Sequence, residues 1–182
     1  MSKVSFREKF LKLLRSQKER DRILKSRVIR KKLFETPEFK RAHTILFYAS
    51  FDGEVETFEM MRKALKLNKK IALPIVMRQS KKLIPSRINH LEGLKKGPYG
   101  ISEPVSNGDV IDSADIDLVV VPGVAFDKTN HRLGRGAGYY DRFLRKLPIG
   151  TPTVGIGFDF QLVERLPHLQ SHDVPVSFVI TN

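Results

Sequence analysis

Cysteine is absent from this 182-residue sequence. That removes disulfides, zinc thiolate sites and thiol catalysis together, and it suits a reducing compartment. No stretch approaches the ~18 to 20 consecutive apolar residues of a membrane span. The chain is charged from Lys3 onward and lacks the apolar core of a secretory leader. A cytoplasmic protein with no membrane association is therefore expected. There is no internal repeat, low-complexity linker or break in composition, so a single domain over residues 1–182 is expected. Acidic side chains are the minority: 20 Asp and Glu stand against 33 Lys and Arg, a formal net charge of +13. A field of that sign concentrates polyanions. Nucleic acid, nucleotide phosphates and a merely solubilising surface are the three readings it leaves. Residues 1–40 hold 14 basic and 5 acidic side chains, so most of the excess sits at the N-terminal end.

Apolar residues make up 41% of the chain and are spread along it, as in a globular protein. Phe6, Phe10, Leu13 and Leu14 recur at helical spacing. A second helix is expected to carry Leu24, Val28, Ile29 and Leu33 inward, with Arg22, Lys25, Arg30 and Lys31 largely outward. Thr36 before Pro37 signals the start of a short third helix over 37–42. The period then changes. "HTILFYAS" (43–50) reads as a buried strand, "TFEMMRKALKL" (57–67) as a helix and "KIALPIV" (70–76) as the next strand, a βαβ unit. "KLIPSRI" is a further short strand, and "DLVVVPG" (117–123) is the strongest buried one. A helix over Tyr139–Leu147 and two final strands, "TVGIGF" (153–158) and "VSFVIT" (176–181), complete the pattern. Strands alternating with helices predict an α/β fold: a three-layer, open, mostly parallel sheet with helices on both faces. Ligands in such folds bind beyond the carboxyl ends of the strands.

At one such end lies "GVAFDKTNHRLGRGAGYYDRFL" (123–144). Gly134, Gly136 and Gly138 alternate with Arg135 and Ala137 just ahead of a helix. Glycines permit positive φ, so successive amides can converge on an anion, and Arg132 and Arg135 offer guanidinium forks to phosphate oxygens. Neither the P-loop pattern nor the dinucleotide fingerprint is present. The alternative for such a cluster is a tight surface turn.

The whole stretch resembles the ATP-binding signature of the 5-formyltetrahydrofolate cyclo-ligase family, through Pro122-Gly123, Phe126-Asp127, Arg132-Leu133-Gly134, Gly136 and Gly138-Tyr139-Tyr140-Asp141-Arg142. The similarity continues in the family's order through "KVSFR", "YASFDGEVET", "PYGISEP", "GIGFDFQLVERLP" and "HDVP", and so covers essentially the whole chain. It implies an ATP- and magnesium-dependent enzyme that closes 5-formyltetrahydrofolate to 5,10-methenyltetrahydrofolate and releases ADP and phosphate, through a phosphorylated formyl (iminium phosphate) intermediate. It further implies that Lys3, Arg7 and residues Arg132, Leu133, Gly134, Arg135, Gly136, Ala137, Gly138, Tyr139 and Tyr140 bind ATP, with Arg132, Arg135 and Tyr140 closest to the chemistry. Lys3 and Arg7, four apart on a helix, share one face. Asp141 and Asp173 match the family's magnesium positions, as carboxylates suited to a hard cation. Ala49 and Glu54 match the folate side, where a carboxylate suits the paired N–H donors of a pterin. Phe51, Phe126 and Tyr140 are candidate stacking walls for its ring, of which about one is expected to serve, since aromatics are more often plain core.

The sequence departs from the family pattern at Ile75, where many members carry Lys or Arg, and at Ser177, where Asp is common. Two other readings stand beside the resemblance: a basic nucleic-acid-binding protein, and a sugar-phosphate isomerase-like or acyl-transferring enzyme. Neither rival needs to hydrolyse ATP. His168 and His172 have a metal-binding spacing only on a helix, and Pro167 and "HDVP" predict irregular chain there. Magnesium is thus the only metal expected. The expected partners are 5-formyltetrahydrofolate, with or without a polyglutamate tail, and ATP, bound by a monomer without specific nucleic-acid affinity. Arg132→Ala is expected to impair ATP use and leave the fold intact.

Overall fold

A computed structural model of the chain describes residues 2–105 and 109–182. Three helices open it: α1 (Lys3–Arg15), α2 (Glu19–Glu35) and α3 (Pro37–Arg41). There follow β1 (Thr44–Leu46), α4 (Phe58–Lys66), β2 (Lys70–Met77), β3 (Lys82–Ile88) and three two-residue strands, β4 (Lys95–Lys96), β5 (Ser102–Glu103) and β6 (Asp109–Val110). β7 (Leu118–Val121), β8 (Ala125–Asp127) and β9 (Arg132–Leu133) precede α5 (Tyr139–Leu144), and β10 (Thr153–Ile156), β11 (Leu162–Val163) and β12 (Phe178–Ile180) come last.

Seven strands form the central sheet in the order β12-β10-β7-β1-β2-β3-β6. The five from β12 to β2 are parallel, while β3 and β6 add an antiparallel edge. Alternate side chains go to opposite faces, as the pleat requires. Ile45, Ile71, Leu118, Val120 and Val154 pack with Ile29 and Leu33 of α2, Phe39 of α3 and Met61 of α4. Leu46, Ala72, Val119 and Val121 pack with Phe143 and Leu144 of α5. The expected three-layer, mostly parallel α/β arrangement is therefore the one observed. A second, three-stranded sheet, β11-β8-β9, receives Phe10 of α1 against Ala125, Leu133 and Leu166.

The N-terminal helices form where their periodicity and caps place them. Ser2 caps α1 by accepting from the Ser5 amide, and Thr36 caps α3 by accepting from Phe39, with Pro37 in the first helical turn. The buried stripe of α2 is rotated from the expected one. Leu24 and Val28 are exposed, at 46% and 44%, as is Leu13 of α1 at 39%. The line that faces in is Arg22, Ser26, Ile29 and Leu33. Arg22 Nη1 donates to Glu54 O at 2.9 Å, and Ser26 Oγ accepts from the Glu56 amide. Polar groups of the 54–56 loop need partners, and α2 supplies them from its inner face in place of apolar side chains.

β1 is also shorter than 43–50. Beyond Phe47 the backbone finds the Thr57 side chain instead of a neighbouring strand: Thr57 Oγ1 donates to Tyr48 O at 2.6 Å and accepts from the Ser50 amide at 3.1 Å. Nor does the glycine stretch follow β7 directly. The β8–β9 hairpin intervenes, turned by the buried Asp127, whose Oδ1 accepts from the Thr129 amide and hydroxyl and from the His131 amide.

Candidate active site

All fifteen residues singled out as site positions line one cavity of about 670 Å³ at the carboxyl ends of β1 and β7. Lys3 and Arg7 enter from α1, Ala49 and Glu54 from the segment after β1, residues 132–141 from β9 through the first turn of α5, and Asp173 from the loop before β12. The topology brings these segments together because β1 and β7 are neighbours at the centre of the sheet, where ligand crevices of open α/β sheets form.

The glycine stretch bends as positive φ allows. Gly136 and Gly138 lie at φ +109° and +66°, and Gly138 delivers the chain into α5. Arg7 crosses over the stretch, with Nε donating to Gly134 O at 2.8 Å. Arg132 is buried, and its Nη2 donates to Asp141 Oδ1 at 2.9 Å. Burial lowers its pKa, which the Asp141 carboxylate opposes. Its guanidinium sits 5.5 Å from the centre of the Tyr140 ring. Arg132 Nε and Tyr140 Oη are both buried without a hydrogen-bond partner among the described residues, while burial pushes the Tyr140 phenol upward. Two such unpaired polar atoms, on residues that line the cavity, are what a site arranged for a polar ligand would hold.

Asp141 is tied to the backbone beside Asp173: its Oδ1 also accepts from the Val174 amide. Lys3 Nζ donates to Asp173 Oδ2 at 2.6 Å, and the Gln170 amide donates to the same oxygen. Burial would raise the Asp173 carboxyl, but the Lys3 and Gln170 bonds outweigh it and hold it below its usual value. The second oxygen of each carboxylate makes no hydrogen bond among the described residues. Two carboxylate oxygens are thus left unpaired on residues that line a cavity shared with Lys3, Arg7 and Arg132, a donor set that suits a hard divalent cation with phosphate oxygens and water completing its shell.

On the other side, Glu54 is buried and accepts from the Phe51 amide and from Arg135 Nη2 at 3.0 Å. Burial raises its pKa to about 7, against the opposing effect of Arg135. Arg135 therefore reaches from the glycine stretch to the segment after β1. It also donates to Asp52 Oδ2 at 2.9 Å and stacks over Phe51, 4.0 Å from the ring centre.

The three aromatic candidates separate. Phe51 and Tyr140 line the cavity. Phe126 does not: it is fully buried behind it, among Gly123, Gly155 and Gly157, where an added Cβ would come within 2.5 to 3.2 Å of its ring. Its role is packing, so it cannot stack on a ligand in the cavity. Ile75 is buried in β2 between the lining residues Pro74 and Val76. Ser177 Oγ accepts from the Thr153 amide at 3.0 Å, so the hydroxyl serves the β10 end. His168 sits at φ +52°, in irregular chain. Sequence reasoning passed over Tyr48, Asp52, Ile101, Glu103 and Gln170, which also line the cavity. Only the flanking motifs "YASFDGEVET" and "PYGISEP" hinted at some of them.

The sequence matches the model of the 5-formyltetrahydrofolate cyclo-ligase family over residues 1–182. The 5-formyltetrahydrofolate cyclo-ligase of Escherichia coli K12 is 34% identical over 155 residues, covering 80% of this chain and 81% of the relative. The mouse enzyme of the same name is 28% identical over 190 residues, covering 98% and 93%. The NMR structure of Aquifex aeolicus 5,10-methenyltetrahydrofolate synthetase superposes with a TM-score of 0.86 at 34% identity, covering 100% of this chain and 90% of that one. The structure of the synthetase from Mycoplasma pneumoniae, at 24% identity and a TM-score of 0.80, shares the fold, with coverage of 99% and 98%. With its sequence matched end to end and the candidate residues of the family motif gathered around one cavity, the chain belongs to the 5-formyltetrahydrofolate cyclo-ligase family.

Proposed function

We propose that this chain, as one domain, converts 5-formyltetrahydrofolate to 5,10-methenyltetrahydrofolate with consumption of ATP in the presence of magnesium. The reaction needs activation because an amide oxygen is a very poor leaving group. In the route that resemblance to the family suggests, the formyl oxygen attacks the γ-phosphorus and ADP leaves. The amine at position 10 then attacks the resulting iminium phosphate carbon and gives up its proton, and phosphate departs with the former formyl oxygen. No protein nucleophile takes part, so the protein's work is positioning and neutralising negative charge.

In this reading Lys3, Arg7 and Arg132 carry the positive charge that faces the polyphosphate, with the amides of Gly134, Gly136 and Gly138 beneath it. Asp141 and Asp173 would hold magnesium, which supplies charge neutralisation at the phosphates. Tyr140 Oη, which makes no hydrogen bond among the described residues, would donate to a ligand oxygen. Arg135 and Tyr140 stand between the two halves, and Glu54 accepts from the pterin beside Ala49. The observation that carries the proposal is the meeting of all fifteen residues, drawn from distant segments, around a single cavity.

The test is to mix the protein with 5-formyltetrahydrofolate and magnesium ATP and to follow the near-ultraviolet absorbance of the methenyl product together with ADP. Growth of the band that requires ATP, with one ADP per product, is expected. A folded protein that yields neither band nor ADP would overturn the proposal.

A further inference from the structure

Asp52 was not among the residues singled out by sequence, yet it joins three elements of the cavity wall. Its Oδ1 accepts from Arg15 Nε at 2.8 Å, and its Oδ2 accepts from Arg15 Nη2 and from Arg135 Nη1, each at 2.9 Å. Arg15 is the last residue of α1, the helix that carries Lys3 and Arg7. Arg135 belongs to the glycine stretch, and through Nε and Nη2 it also reaches Glu54 Oε1 at 3.2 and 3.0 Å. The turn that bears Asp52 is itself docked on α1. Asp52 lies at φ +52° and Gly53 at +83°, and a Cβ at Gly53 would lie 2.3 Å from Leu14 O. Arg15 and Arg135 together hold the Asp52 carboxyl below its usual range, against the effect of its partial burial.

We propose that Asp52 is a positioning residue that couples the two halves of the cavity, fixing Arg135 of the glycine stretch and Arg15 of α1 on one carboxylate so that binding in either half orders the other. This rests on the functional reading above. A polyphosphate that fixes the glycine stretch also fixes Arg135, and with it the Glu54 oxygen it contacts. A folate seated on Glu54 fixes Arg135 from the other direction. The second ligand to bind meets a partner already ordered, which is positive coupling, and the coupling is reciprocal.

Asp52→Asn is the informative substitution, because asparagine tolerates the left-handed conformation and the change removes charge without disturbing the turn. The measurement is the Kd of a β,γ-imido ATP analogue with magnesium, by calorimetry, with and without saturating 5-formyltetrahydrofolate. In the unmodified protein the folate is expected to tighten nucleotide binding about tenfold, within the usual range of site-to-site coupling. In Asp52→Asn the ratio is expected to fall to within about twofold of unity, with each ligand alone weakened by no more than about threefold. A loss of general stability would not remove the ratio selectively. If the asparagine variant does not fold, Arg15→Gln tests the same hub from a side chain that is 59% exposed. A folded variant that keeps the full ratio overturns the proposal, as does an unmodified protein that binds both ligands with a ratio of one. An unmodified protein that binds neither ligand overturns the functional reading, and the coupling falls with it.

Discussion

Burial acts on Arg132 and Glu54 in opposite senses, and their consequences differ accordingly. Arg132 loses favour as a cation inside the protein but is paired with Asp141, so its removal strands a partly buried carboxylate. Breaking a buried pair costs about 3–5 kcal/mol. Arg132→Ala should therefore lower the urea midpoint as well as ATP use, which revises the expectation of an intact fold. Arg132→Lys separates the two effects, since it keeps the charge and loses the fork. We expect a folded lysine variant whose kcat/KM for ATP is reduced at least tenfold, and unchanged kinetics in that variant would remove Arg132 from the phosphate site. Glu54, raised to about 7, must be ionised to accept a pair of donors. The kcat/KM for the folate should rise with pH through about 7 in the free enzyme, and Glu54→Gln should flatten that rise. The same shift has a stability consequence. The native state binds this proton more tightly than the unfolded chain, so the contribution is fully present below pH 4.5 and is lost as pH rises through about 7. Its size is about 3 kcal/mol, and urea titrations of the wild type and Glu54→Gln at pH 5 and 8 would measure it.

Elements deliver these side chains, and the hairpin of β8 and β9 does so on a packed ring. Phe126 of β8 fills the space left by Gly123, Gly155 and Gly157, and the partner strand β9 begins with Arg132. Gly155 lies in β10 without a positive φ, so its constraint is purely steric: a Cβ there would stand 2.5 Å from the Phe126 ring. Gly155→Ala should destabilise the fold by about 1–3 kcal/mol through overpacking, read from the urea midpoint. Helix periodicity and caps revealed α1, α3 and α4 because such signals are local. The stripe of α2 was misplaced because its inner face answers the distant carbonyl of Glu54 and the amide of Glu56, which no helical period encodes. The β8–β9 hairpin is not legible in the sequence for a related reason: its turn is tied by the buried Asp127 side chain and carries neither a glycine nor a proline.

At the scale of the whole molecule, a net charge of +13 accompanies a cavity whose proposed ligands are both anions. Electrostatic steering of that kind weakens as salt screens it. The kcat/KM for either substrate should fall several-fold between about 20 and 200 mM monovalent salt, at fixed magnesium, while kcat changes little. Invariance of kcat/KM would assign the excess charge to solubility alone. What the sequence determined by itself was the alternation of helices and strands, the sheet class and, through the family motif, a set of candidate site residues. Each of these depends on neighbours in the chain or on a motif with fixed spacing. The tertiary structure alone decided how those residues face one another: that Arg135 turns to Glu54 and Asp52, that Lys3 closes on Asp173 across 170 positions, and that Phe126 packs away from the cavity. Side-chain pairing in a cavity is set by which segments the sheet order makes adjacent and by which buried charges then need partners, and neither condition is written in local spacing.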